Sequence, residues 1–130
     1  MERYYVAATK STPHINFDPK EKTFNIVGES FPENAAAFYT PVFAWLKEFF
    51  DSPYDSPIVF NIELIYFNSS SSKALMSFFT MLEKAAASGK EITVNWRYHT
   101  DNDTAHESGE EFMEDAPGLA FNIVEVERHK

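Results

Sequence analysis

The run IVFNIELIYF, from Ile58 to Phe67, constrains the fold more than any other part of the chain. Both of its alternating faces are mostly apolar, which predicts a central β-strand that is covered on both sides. Covering such a strand requires a large core, and hydrophobic residues make up 44% of the 130 residues. A chain of this length and composition favours a single folded domain, which we expect to span residues 1–130.

Strand and helix patterns alternate along the rest of the chain. The elements predicted in chain order are two hairpin strands, a helix, the central strand, a second helix, a strand, a short acidic helix and a last strand, at residues 15–17, 23–28, 30–50, 58–67, 71–88, 91–99, 104–116 and 119–126. Strands joined through helices give a parallel sheet, and the opening hairpin adds an antiparallel edge. The order therefore predicts a mixed, mostly parallel α/β sheet of about five strands with helices on both faces.

The first helix carries several signals about where it starts and how far it runs. Ser30 and Glu33 have the spacing of a capping box, and Pro32 fits a first helical turn. Pro41 lies inside the apolar stripe that follows, so we expect it to kink the helix or to begin a second segment. The stripe itself predicts one buried helix face, made of Phe38, Val42, Trp45, Leu46 and Phe49.

Charge is unevenly placed along the chain, whose formal net charge is −9. Residues 101–115 contain seven acidic side chains and no Lys or Arg, which should repel nucleic acid and anionic membranes. This segment is either a solvated face or a docking surface for a basic patch on a partner. The chain has no cysteine, no apolar run of about 20 residues and no signal-peptide pattern, so we expect a cytoplasmic protein without a membrane span.

The densest cluster of hydroxyl groups, YFNSSSSK at residues 66–73, lies where the central strand ends and the second helix begins. Ligands and chemistry gather beyond the carboxyl ends of parallel strands, and the N–H groups of a helix start favour an anion. A phosphoryl group on one of these serines would meet those N–H groups, with Lys73 within one turn. Asn and Ser are also good helix caps, so phosphorylation and simple capping both remain open on these residues.

Other chemistry finds little support in the residues. There is no G-x-S-x-G nucleophile motif, no phosphate-binding P-loop and no G-x-G-x-x-G, and four glycines offer little for a Gly-rich nucleotide loop, so we expect no cofactor. His106 and Glu110 lie four residues apart but form an incomplete metal site, so we expect no metal. An enzyme that uses the serines, or His99 with the acidic helix, is an alternative that lacks a recognisable base, and we expect no catalytic activity.

Four motifs of this chain, STPHINFD, GESFPENAAAFYTPVFAWL, LIYFNSSSSKALM and VNWRYHTDND, resemble the SiaC family of bacterial regulatory phosphoproteins. The resemblance covers roughly residues 12–121 and implies the STAS-like fold of anti-sigma-factor antagonists. It also implies a partner switch, in which a kinase phosphorylates the hydroxyl residue after the Asn and a PP2C-type phosphatase removes the phosphate. The unphosphorylated form then binds and activates a diguanylate cyclase, which raises cyclic di-GMP and promotes biofilm formation.

Carried onto this sequence, the resemblance implies that Ser69 is the phosphoacceptor. The family position is commonly Thr, and the adjacent serines make Ser70 a second choice. In a parallel sheet the segment after residues 23–28 would lie beside the serine run, so we expect a docking surface that combines both segments, with Phe31, Glu33, Asn34, Asn68, Ser71 and Lys73. Capping also explains Glu33, and a hydrophobic staple also explains Phe31. An interaction module of the anti-sigma-factor-antagonist type with a different effector is the alternative function.

Overall fold

The structure, a computed structural model, describes residues 1–127 and contains six strands and three helices. In chain order these elements are β1 (Tyr4–Val6), β2 (His14–Asp18), β3 (Thr23–Ser30), α1 (Ala35–Asp51), β4 (Ile58–Phe67), α2 (Ser69–Ala87), β5 (Ile92–His99), α3 (Asp103–Asp115) and β6 (Ala120–Val126). The predicted central strand has the bounds observed for β4. The sheet has six strands rather than about five, because β1 has only three residues and is too short to show a periodic pattern.

The strands lie side by side in their order along the chain. β1, β2 and β3 pair antiparallel, whereas β3, β4, β5 and β6 pair parallel, each joined to the next through one helix. The predicted mixed, mostly parallel sheet with an opening hairpin is therefore confirmed. Because all three crossovers step in the same direction, right-handed connections place their helices on the same face.

The core lies between that face and the helices. One row of side chains crosses the sheet in register, namely Phe17, Phe24, Phe60, Val94 and Phe121. Aromatic side chains of each helix pack on this face: Phe49 of α1 on Phe24, Phe78 of α2 on Phe60, and Phe112 of α3 on Trp96. The rings are tilted or edge-on at centroid distances of 5.2–5.6 Å, which is favourable aromatic packing.

The opposite face of the sheet carries a ladder of asparagines. Asn122, Asn95 and Asn61 each donate an Nδ2–H to the Oδ1 of the Asn on the preceding strand, at 3.0, 3.0 and 3.3 Å, and the ladder ends at Asn25. No described helix packs on this face, so the prediction of helices on both faces is wrong. The physical reason is that Asn61 and Glu63 occupy the middle of the second face of β4, where the flanking apolar residues hide their effect on the pattern.

The start of α1 also differs from the prediction. Asn34 is the N-cap, and its Oδ1 accepts a hydrogen bond from the amide of Ala37 at 3.0 Å. Ser30 ends β3 instead of capping the helix, so the predicted capping box is wrong. The helix is continuous from Ala35 to Asp51, and Pro41 lies exposed inside it rather than beginning a second segment.

Candidate functional site

The carboxyl ends of β3 and β4 meet at one rim of the sheet and bring two predicted segments together. The backbone N–H of Asn68 donates to the carbonyl of Ser30 at 3.0 Å. Near the ends of the same two strands, the ring of Phe31, directly after β3, lies 5.7 Å from the ring of Tyr66 on β4. The segment that follows β3 therefore lies beside the serine run, as the parallel arrangement predicts.

Asn68 performs the capping at the start of α2. Its Oδ1 accepts a hydrogen bond from the amide of Ser71 at 2.9 Å, and its backbone carbonyl accepts from the amide of Ser72. One good cap is sufficient for a helix start. The serines are consequently not needed for capping, and each must be explained by its own surroundings.

Ser69 and Ser70 are exposed, and neither hydroxyl has a hydrogen-bond partner within residues 1–127. Ser69 is the first residue of α2, directly after the cap. A hydroxyl in this position is accessible to a modifying enzyme, and its neighbouring backbone N–H groups lie at the positive end of the helix dipole.

Ser71 points the other way and is 0% exposed. Its hydroxyl lies 2.8 Å from the hydroxyl of Ser30, which lies 2.6 Å from the hydroxyl of Tyr39. Burial raises the pKa of Tyr39, and the hydrogen bonds with Ser30 and Ser71 partly oppose that effect. Because Ser71 lies inside the protein, the expectation that it contributes to a docking surface is wrong for this conformation.

The sequence does not single out Ser30 and Tyr39 as parts of this site. For Ser71 the sequence does contain a signal. It lies four and seven residues before the buried Leu75 and Phe78, a spacing that places it on the buried face of α2. In α1 the buried face contains Tyr39, while Phe38 and Trp45 are only half-buried, so the predicted stripe is displaced by part of a turn. The core-facing tyrosine hydroxyl then needs a polar partner, which Ser30 provides.

Four of the six expected docking residues are exposed on the surface. Phe31 is 37% exposed and contacts Tyr66, itself 51% exposed, so Phe31 belongs to an apolar patch rather than to a helix staple. Glu33 and Asn34 are exposed at the start of α1. Lys73 is also exposed, on the first turn of α2, and has no carboxylate within 4.0 Å in the described part of the chain.

A groove of about 470 Å³ runs between the amino-terminal halves of α1 and α2. Its lining includes Glu33, Asn34, Tyr39, Phe43, Ser70 and Lys73. The groove therefore adjoins the exposed serines and contains one acidic and one basic side chain. A protein segment that contacts Ser69 would also reach this groove and the Phe31–Tyr66 patch.

Within residues 1–127, the histidines lie in other surroundings than a base for Ser69 would need. His99 bonds through Nε2 to a carboxylate oxygen of Glu63 at 3.2 Å, on the helix-free face of the sheet. No hydrogen bond within residues 1–127 joins a histidine to Ser69. His106 lies 3.8 Å from Glu110, and the same residues contain no group of three or more His, Cys, Asp or Glu side chains that could hold a metal ion. None of their helices is long and apolar enough to cross a membrane.

The fold and the site define a mixed α/β domain with helices on one face, in which the polar chemistry lies on an exposed turn at the rim of the sheet. A family model described as "SiaC family regulatory phosphoprotein" matches residues 6–126. The chain therefore belongs to the SiaC family.

Relatives and solved structures agree with this membership. An uncharacterized protein of Pseudomonas aeruginosa strain UCBPP-PA14 is 32% identical over 115 residues, which cover 88% of this chain and 90% of that protein. The crystal structure of apo-SiaC from Pseudomonas aeruginosa matches with a TM-score of 0.84 and 31% identity, covering 95% of this chain and 99% of that one. SiaC in the crystal structure of the diguanylate cyclase SiaD with its activator SiaC matches with a TM-score of 0.87, the same identity and the same coverage.

Proposed function

We propose that this protein is a non-catalytic phospho-switch in which reversible phosphorylation of Ser69 controls binding to an effector protein. The observation that carries the proposal is the exposed hydroxyl of Ser69, which has no hydrogen-bond partner within residues 1–127 and lies directly after the cap Asn68, in a family of regulatory phosphoproteins. A partner kinase adds the phosphate and a PP2C-type phosphatase removes it, and both act in the cytoplasm.

Ser69 is preferred over Ser70 because of its position. It follows the capping Asn, which is the acceptor position implied by the resemblance to the family, and it lies outside the groove that Ser70 lines. Ser70 is the second choice because it is also exposed. Ser71 is excluded as an acceptor in this conformation because no enzyme reaches a side chain that is 0% exposed.

The phosphate changes the charge of the rim without disturbing the core. It adds roughly −1.5 to −2 charges at neutral pH and three acceptor oxygens. The backbone N–H groups at the start of α2 and the exposed amine of Lys73 stabilise that charge within the protein. An effector surface complementary to a neutral hydroxyl would have to desolvate a dianion, which opposes binding.

The effector that we propose is a diguanylate cyclase in cyclic di-GMP signalling. Support comes from the similarity of this chain to SiaC, the activator that is bound to the diguanylate cyclase SiaD in a solved complex. The proposed docking surface surrounds Ser69 and consists of Phe31, Glu33, Asn34, Asn68 and Lys73. These residues are exposed or half-buried on the same rim, whereas the buried Ser71 is left out.

Substitution at Ser69 tests the switch. We expect Ser69→Ala to bind the cyclase like the wild type, and Ser69→Asp to bind at least about tenfold more weakly, equivalent to about 1.4 kcal/mol. Calorimetric titration with the cyclase of the same host measures both. Thr80→Asp is the matched control, because Thr80 is exposed on the same helix three turns further on and does not line the groove. Equal affinities of Ser69→Ala and Ser69→Asp would refute the switch.

A further inference from the structure

Three buried hydroxyl groups connect the serine run to the rest of the fold. Ser30 is the last residue of β3, Tyr39 lies on the second turn of α1, and Ser71 lies on the first turn of α2. Their oxygens form a chain, with 2.8 Å between Ser71 and Ser30 and 2.6 Å between Ser30 and Tyr39. One hydrogen-bonded chain thus joins three elements directly behind Ser69.

This series of hydrogen-bonded hydroxyl groups is unusual within the core. Ser30 and Ser71, both 0% exposed, are the two buried polar residues among residues 1–127, and Tyr39 is 2% exposed. Replacing buried hydrogen-bonded partners by apolar groups of similar shape is often nearly neutral, so stability alone does not call for hydroxyls here. A hydrogen-bonded network does specify one arrangement where apolar packing would tolerate more than one.

The serine run is where such an arrangement needs to be specified. Four identical residues occupy positions 69–72, and a modifying enzyme meets the same side chain at each of them. In an α-helix each residue is rotated by about 100° from the last, so only the helix phase decides which serine faces outward. With Ser71 facing inward, Ser72 is half-buried and Ser70 is exposed toward the groove between α1 and α2, whereas Ser69 is exposed outside that groove.

We propose that Ser30 and Tyr39 are positioning residues that, through Ser71, select Ser69 as the phosphoacceptor of the serine run. This inference rests on the proposed function, because it explains why one of four chemically equal serines is modified. The hydroxyl chain holds Ser71 inward while Asn68 caps the amide of Ser71, and the two contacts together fix the phase of the first turn. Without the hydroxyl chain, the first turn frays and neighbouring serines reach the kinase.

The test is the distribution of phosphate among the serines. Full-length wild type, Tyr39→Phe and Ser71→Ala are expressed in the native host, and the phosphosites are mapped by tandem mass spectrometry. We expect most of the phosphate of the wild type on Ser69 and a small fraction on its neighbours. In both variants we expect the ratio of phosphate on Ser70 or Ser72 to phosphate on Ser69 to rise about fivefold, the factor that corresponds to the loss of one buried hydrogen bond.

Two controls separate positioning from general destabilisation. Ser77→Ala removes an exposed hydroxyl from the same helix outside the chain of hydrogen bonds. Ile92→Val removes a buried methyl group at the start of β5, away from the three hydroxyls. It lowers thermal stability without removing a hydroxyl, and so controls for a loss of stability in Tyr39→Phe and Ser71→Ala. Both should keep phosphate on Ser69. The inference is overturned if Tyr39→Phe and Ser71→Ala keep the wild-type distribution, or if Ile92→Val redistributes phosphate equally.

The outcomes also distinguish this inference from the proposed function. Phosphate on Ser69 of the wild type, with no redistribution in the two variants, overturns only the positioning role. Absence of phosphate from every serine of the wild type overturns the proposed function and the positioning role with it.

Discussion

The four serines at the rim have the same side chain and different environments, because each meets different neighbours. Asn68 caps the helix, and the hydroxyl of Ser71 bonds to that of Ser30 in the core. Ser69 and Ser70 are exposed. The chemistry of the site at the residue scale is therefore set by the residues that surround the serine run. Accessibility, not the intrinsic reactivity of the hydroxyl, distinguishes Ser69 from Ser71.

Glu63 shows a second effect of immediate neighbours. Its carboxylate lies 3.0 Å from Nε of Arg97 and 3.2 Å from Nε2 of His99 on the helix-free face. Burial acts to raise the pKa of Glu63, but the hydrogen bonds and positive charge of Arg97 and His99 outweigh it and lower the pKa below the ordinary 4.5. A carboxyl group whose pKa is lower in the folded state than in the unfolded state stabilises the protein at pH values above its ordinary pKa.

We therefore predict an acid-dependent difference between the wild type and Glu63→Gln. The wild type should be more stable near neutral pH, and its advantage should shrink as the pH falls from 4.5 toward the lower folded-state value, because protonation abolishes the charge. Chemical unfolding across this pH range measures the difference. A stability difference that stays constant from neutral to acid pH would contradict the role given to Glu63.

At the scale of elements, the sheet has one apolar and one polar face. The helices cover the face that carries the aromatic row, and the asparagine ladder crosses the other face. Asn61 on β4 donates to Asn25 and accepts from Asn95, so it takes part in two hydrogen bonds, whereas Asn122 at the edge takes part in one. The ladder adds side-chain pairing to the backbone pairing of neighbouring strands.

Substitutions along the ladder should follow this count. Asn61→Ala leaves polar groups of two partly buried asparagines unpaired and should cost about 1–2 kcal/mol of unfolding free energy. Asn122→Ala removes one exposed contact and should cost about half as much. Urea unfolding of both variants measures the ratio. A loss from Asn122→Ala equal to or greater than that from Asn61→Ala would show that the ladder does not act as described.

For the whole molecule, periodic patterns predicted most of the fold but missed that the helices cover only one face of the sheet. Alternation in β5, with Thr93, Asn95, Arg97 and His99 on one side, already indicated a polar face. The flanking Val59 and Ile65 of β4 made the same face look apolar. A single strand cannot show whether its second face is covered, because partly buried Asn and Glu side chains pair with neighbouring strands that the local pattern does not contain.

The site was predictable to the extent that topology brings strand ends together. The neighbourhood of Ser30 and Asn68 follows from the parallel pairing of β3 and β4. The inward orientation of Ser71 is not visible in the serine run itself, because four identical residues carry no helical phase of their own. That phase comes from Leu75 and Phe78 further along α2. Likewise, the spacing of Ser30 and Glu33 predicted a cap at Ser30, but pairing with β4 makes Ser30 the last residue of β3, and Asn34 caps α1 instead.

The central claim is that phosphate on Ser69 controls recognition of the effector. The most direct measurement compares the affinity of the cyclase for the fully phosphorylated protein with its affinity for the same sample after phosphatase treatment. The account predicts tight binding only after dephosphorylation, with at least about a tenfold difference in dissociation constant. Equal affinity of the two samples, with phosphate verified on Ser69, would contradict it.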